Sequence, residues 1–173
     1  MLPGCWTALH DALATPPDAG VVAPALVRAA GTVQSSAWRF PTLRAEWCDT
    51  VRPIGSPADL RAVGARDSVA VDSCSGACLC VPRATIEAVG GFDPRYFMYS
   101  EEVDWCRRMW ASGRAVYYVP HARVLHTGQT SSHGEAQRWL IPERYRSKGR
   151  YFRTHHGART ERVLRVVVLV AAV

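Results

Sequence analysis

Residues 97–119 read FMYSEEVDWCRRMWASGRAVYYV, and this stretch decides the fold. Phe92 to Tyr99 forms an aromatic turn. Ser100 then offers a hydroxyl as a helix N-cap, so a helix is expected from Glu101 to about Ser112. Its apolar stripe is Val103, Cys106 and Trp110, and Gly113 supplies the C-terminal stop. Ala115 to Val119 follows as a strand, with Val124-Leu125 as a second extended piece. A helix and a strand joined by so short a link argue a layered α/β sheet.

Working outward, the same alternation continues. Upstream, Pro82 to Val89 reads as a short helix closed by Gly90-Gly91. Ser68 to Val81 is rich in Val and Cys and reads as a strand, with Gly76 marking a bulge or a close backbone approach. Residues 28–67 carry scattered Gly and Pro and read as a long irregular insertion with short strands. Gly20 to Val27 is an apolar run expected as a buried strand. Residues 3–14 read as a helix with Trp6, Leu9 and Leu13 on one side, stopped by Pro16-Pro17. Downstream, 127–134 is a polar loop and 136–155 a basic helix or two.

The chain has 173 residues, 48% apolar and 21% charged, with 21 Lys+Arg against 15 Asp+Glu. That composition excludes a disordered tail and fits one soluble domain. The first twenty residues lack a cationic segment and an unbroken apolar core, so they do not read as a signal peptide. The longest apolar run, 166–173, is far short of the roughly 20 residues of a membrane span. The six cysteines are expected to be reduced. Cys74, Cys78 and Cys80 are expected along one side of a strand, at a spacing that does not match a zinc knuckle.

Chemistry concentrates in two places. Glu101, Glu102 and Asp104 place three carboxylates at a helix start. They stabilise the exposed N–H groups there, and their mutual repulsion also raises the pKa of at least one, as a general base requires. His126 closes the segment Pro120 to His126; it reads as structural, or as a metal ligand if carboxylates converge on it. The arginines and lysine of 138–153, interleaved with Trp139, Tyr145, Tyr151 and Phe152, read as a solvated helix face or as an anionic-membrane surface. Nucleic acid ranks below membrane because an apolar run follows.

One ordered series remains: Gly76-Ala77-Cys78-Leu79, Pro82-Arg83, Val89-Gly90-Gly91-Phe92-Asp93, Phe97-Met98-Tyr99-x-Glu101-Glu102-x-Asp104, Arg108, Gly113, Val119-Pro120 and His126. Together it resembles the C-terminal half of family 2 glycosyltransferases of the GT-A fold, rhamnosyltransferase-like members in particular. A weaker likeness covers 1–50 and 136–157, including Tyr151-Phe152-x-x-His155.

The resemblance implies an α/β, Rossmann-like GT-A domain over 1–157, lacking its N-terminal nucleotide-binding half, with 158–173 as a basic and apolar tail. It implies an inverting enzyme that moves a sugar, rhamnose among the candidates, from a nucleotide diphosphate donor to a glycan or lipid-linked acceptor in cell-wall or surface polysaccharide synthesis. The setting would be the cytoplasm or the inner face of the membrane. Glu102 matches the general base, with Glu101 and Asp104 beside it in the catalytic motif. Gly76 and Ala77 match the strand beside the sugar, and His126 matches a ligand of a divalent Mg or Mn ion. Glu102 stands where the family has Asp, one methylene shorter. The family's Asp-x-Asp metal motif would fall just before Pro3-Gly4, so the isolated chain is expected to hold metal weakly and to transfer poorly. The rival readings are a non-catalytic remnant that binds sugar or a partner, and a basic membrane-surface module.

Overall fold

The computed structural model describes residues 1–51, 67–127 and 135–171. At its centre lie β1 (Ala19–Val27) and β5 (Ala115–Leu125), paired in parallel, with the short β3 (Val69–Val71) antiparallel on the far side of β5. Every residue of β1 is buried, as a strand covered on both faces must be. A second sheet pairs β2 (Ala37–Trp38) with β4 (Ser73–Cys74). The α/β expectation therefore holds, with a parallel pair at its core.

Alternation along β1 separates two cores. Val21, Ala23 and Ala25 face one side, where Trp105, Cys106 and Met109 of α4 (Glu101–Ala111) pack on them. Val22 faces the other, against Cys5, Leu9 and Ala12 of α1 (Cys5–Ala14). Gly20 is required where β1 meets β5: a Cβ there would come within 2.6 Å of Arg114 Cβ.

Several expectations change. α1 starts after Gly4, whose φ of 76° turns the chain into the helix, and it buries Cys5, Leu9 and Ala12 while Trp6 is exposed. The insertion after β1 contains α2 (Leu43–Val51), whose polar composition hid it; residues 52–66 lie outside the described residues. The strand expected over 68–81 divides between two sheets. Asp72 stands at the division, accepting the Phe40 N–H at 2.8 Å. Cys74 is buried in β4, while Cys78 and Cys80 lie half-buried beyond the Gly76 turn, so the three do not line one strand. β5 runs unbroken through Pro120 as one strand, with its register against β1 shifting between Pro24 and Ala25. Neither proline has an N–H to give the ladder, and the shift lets the strand pass both.

α3 (Arg83–Val89) ends at Gly90, whose φ of 81° only glycine adopts freely. The basic segment forms one helix, α5 (Glu135–His156), with Pro142 inside it. The stretch expected as a tail is helical as α6 (Ala158–Ala171), and Leu164 packs on Tyr96, Tyr151 and Phe152. Residues 128–134, expected as the polar loop, lie outside the described residues.

Candidate functional site

Glu102 sits in the first turn of α4, directly beside the Gly76 turn. A Cβ built on Gly76 would lie 3.4 Å from Glu102 Cβ and 3.8 Å from its Cγ, so the turn packs directly against the glutamate. Two consecutive residues, Tyr99 and Ser100, reach the helix with φ of 67° and 65°. Side chains rarely adopt this left-handed conformation, which costs about 1–3 kcal/mol per residue. Ser100 holds the N-cap position, yet its side chain caps nothing. Its carbonyl instead accepts the Asp104 N–H at 2.9 Å.

The carboxyl group of Glu102 is pushed up to about 7, first by burial and then by the neighbouring Glu101 charge. The N–H groups of Glu102 and Val103 oppose the shift without cancelling it. Glu102 Oε2 and Glu101 Oε2 are both buried with no hydrogen-bond partner among the described residues. An acid that titrates near neutrality and whose oxygen has no competing hydrogen bond among the described residues is chemically equipped to take a proton from a hydroxyl.

Asp104 differs sharply. It is 1% exposed, and both its oxygens are engaged. Arg108 donates to Oδ2 at 2.9 Å, and His155 Nε2 lies 2.7 Å from Oδ1. Burial alone would raise this carboxyl, but hydrogen bonds from His155 and Arg108 outweigh it and hold it below the usual range. Arg108 also donates to the carbonyls of Val89 and Gly91, and Trp105 Nε1 donates to Gly90 O. One buried carboxylate thus ties α4, the glycine turn after α3 and α5 into a single block. α5 also grips the aromatic turn, since Ser147 Oγ donates to Met98 O at 2.7 Å.

His126 follows β5, at the carboxyl end of the parallel pair where α/β sheets bind ligands. Its N–H bonds Val27 O, and its ring faces Gln34. Gln34 Nε2 donates to the His126 carbonyl at 2.5 Å, which turns Gln34 Oε1 toward His126 Nδ1 at 3.0 Å. In a neutral ring this pairing favours the tautomer with its proton on Nδ1. Ser36 O, two residues on from Gln34, accepts the Ser75 N–H at 2.9 Å, linking this end of the sheet to the Gly76 turn. Ala77 is exposed in that turn.

The resemblance implies a divalent metal at His126, and the described residues around it do not fit one. Among the described residues no three of His, Cys, Asp and Glu converge. An imidazole beside one amide is a poor cage for a hard cation that takes oxygen ligands.

The structure brings Gly76 against Glu102, with Glu101 beside Glu102, and engages Asp104 with Arg108 and His155 instead. Sequence reasoning missed two contributors. His155 was part of the weaker likeness without a role; it reaches Asp104 across 51 residues of sequence. Gln34 carried no signal.

Residues 7–141 match the family model described as "Glycosyltransferase like family 2". The N-acetylglucosaminyl-diphospho-decaprenol L-rhamnosyltransferase of Mycobacterium tuberculosis, in strains CDC 1551 / Oshkosh and H37Rv, is 36% identical over 138 residues. That alignment covers 72% of this chain and 42% of the relative, so the chain spans under half of that protein's length. Rhamnosyltransferase WbbL of Escherichia coli K12 is 34% identical over 79 residues, 44% of this chain and 30% of WbbL.

Proposed function

This chain belongs to glycosyltransferase family 2, and from that premise we propose that it carries the acceptor-activating part of an inverting sugar transfer. The donor is a nucleotide diphosphate sugar, and rhamnose is the sugar its relatives' names point to. The acceptor is a glycan or a lipid-linked saccharide of cell-wall or surface polysaccharide synthesis.

Glu102 is the general base. An acceptor hydroxyl hydrogen-bonds to its carboxylate and passes its proton there as the oxygen attacks the anomeric carbon. The new C–O bond forms on the face opposite the leaving nucleotide diphosphate, which departs with the bonding electron pair. Gly76 and Ala77 border the sugar, because the Gly76 turn lies against Glu102. Asp104 positions α4 from beneath and does not touch substrate. His126, aligned by Gln34, marks the carboxyl edge of the sheet toward the diphosphate.

One observation carries this reading: a buried, unpartnered carboxylate oxygen on a group titrating near 7, against a turn left open by glycine. The test is transfer from nucleotide diphosphate rhamnose to a short-chain N-acetylglucosaminyl-diphospho-prenol by this chain joined to a family donor-binding half that ends in Asp-x-Asp. Glu102→Gln is expected to lower kcat by about 100-fold or more with little change in KM. An unchanged kcat overturns the assignment.

A further inference from the structure

A groove of about 940 Å³ runs between α5 and α6. Five arginines line it, Arg95, Arg146, Arg150, Arg153 and Arg165, with Glu161 as the one lining carboxylate, while Asp93 pairs with Arg95 and Glu143 with Arg146 from outside the lining. The Glu161 carboxylate is already held by Arg165 Nε at 2.5 Å. Leu164 and Val168 also line it, with the exposed Tyr145 and Leu169. Trp139, 80% exposed, lies on the same face of α5, three residues before Pro142 and seven before Arg146. On the outer flank of α6, Val163, Val166 and Val170 are exposed at helical spacing, beside the exposed Arg159 and Arg162.

Cations, interfacial aromatics and bare aliphatic side chains on one pair of helices are complementary to an anionic bilayer surface. Guanidinium groups meet lipid phosphates, while tryptophan, tyrosine and aliphatic groups sink to the acyl boundary. Among the described residues no helix is long and apolar enough to cross a membrane, so the contact lies along the surface. A nucleic acid would leave the valine and leucine groups without a counterpart. A second copy docked by the same face would set arginine against arginine.

We propose that the α5–α6 groove and the outer flank of α6 seat the chain on an anionic phospholipid surface. The inference does not depend on the transfer chemistry.

The test is co-sedimentation of the 173-residue chain with vesicles of phosphatidylcholine alone, or of equal parts phosphatidylcholine and phosphatidylglycerol. Binding is expected only to the anionic vesicles, and it weakens as salt rises. Each arginine neutralised should lower partitioning about fivefold, so Arg146→Glu/Arg153→Glu should lower it by more than about twentyfold. Arg28→Glu/Arg83→Glu makes the same change in net charge outside the groove and should keep most of the binding. Leu169→Asp, at an exposed site that leaves the fold intact, should weaken what persists at high salt. Equal loss in the two double variants, equal binding to neutral vesicles, or no binding overturns the proposal. So does tighter binding to single-stranded DNA, or a dimer on size exclusion that Leu169→Asp dissolves.

Discussion

His155 Nε2 stands 2.7 Å from Asp104 Oδ1, bonding the C-terminal part of α5 to the underside of the helix that carries Glu102. Removing one partner of a buried charged pair leaves the others uncompensated, at a cost of about 3–5 kcal/mol. Asp104→Asn should therefore destabilise the fold by about that much in denaturant melts. His155→Gln, which keeps a hydrogen-bond donor, should cost clearly less. Equal stability of Asp104→Asn and the parent would show that the block is not held there. Because the folded Asp104 carboxyl lies below its ordinary value, its contribution is present above about pH 4 and is lost as pH falls through the folded value.

Glu102 has the opposite sign. Its folded value is about 7 and its ordinary value 4.5, so the folded state holds a proton that the unfolded chain releases between those limits. Stability from this group is therefore greatest below pH 4.5, falls as pH rises toward 7, and is flat above. Glu102→Gln should erase that slope and raise stability at pH 8 by about 1–3 kcal/mol. Thermal melts at pH 5 and pH 8 on both proteins read this directly; parallel pH dependence would contradict it.

Gly20→Ala places a methyl group 2.6 Å from Arg114 Cβ at the junction of the two parallel strands. Strand separation or a register change must follow, and a loss of about 1–3 kcal/mol is expected. A variant as stable as the parent would mean that the strands approach less closely than described.

Gly76→Ala sets a Cβ 3.4 Å from Glu102 Cβ, a contact the fold can absorb with a shift of tenths of an ångström. Stability should change little, while kcat should fall several-fold, because a displacement of about 1 Å costs on the order of 100-fold. Gly76→Val should be worse on both counts. If both variants keep full kcat, Gly76 does not border the reacting groups.

Local signals were readable and long-range ones were not. β1 declared itself by the apolar run Gly20 to Val27, one residue short of its start at Ala19, α3 by Gly90, and the start of α4 by Ser100 and the three carboxylates after it. Ser100 marked the N-cap position correctly, but it sits there in a left-handed conformation and its hydroxyl makes no capping bond. α2 was illegible: Trp47 is exposed while Glu46 is buried, and the partner that makes this tolerable, Lys148, lies 102 residues away at 2.5 Å. β5 was read as two pieces because Pro120 ends most strands, and only pairing with β1 carries it through. At the site, motif order alone placed Gly76 near Glu102. The bonds of His155 to Asp104 and of Gln34 to His126 span 51 and 92 residues and leave no periodicity to find.

The central claim is that Glu102 is a carboxylate poised near neutrality beside an open turn. Its most direct test is a titration of the glutamate side-chain carboxyls by carbon-13 NMR, with Glu102→Gln identifying the Glu102 signal. This signal is expected to titrate near pH 7. A midpoint at the ordinary glutamate value near 4.5 would contradict it and leave Glu102 as a helix-start residue.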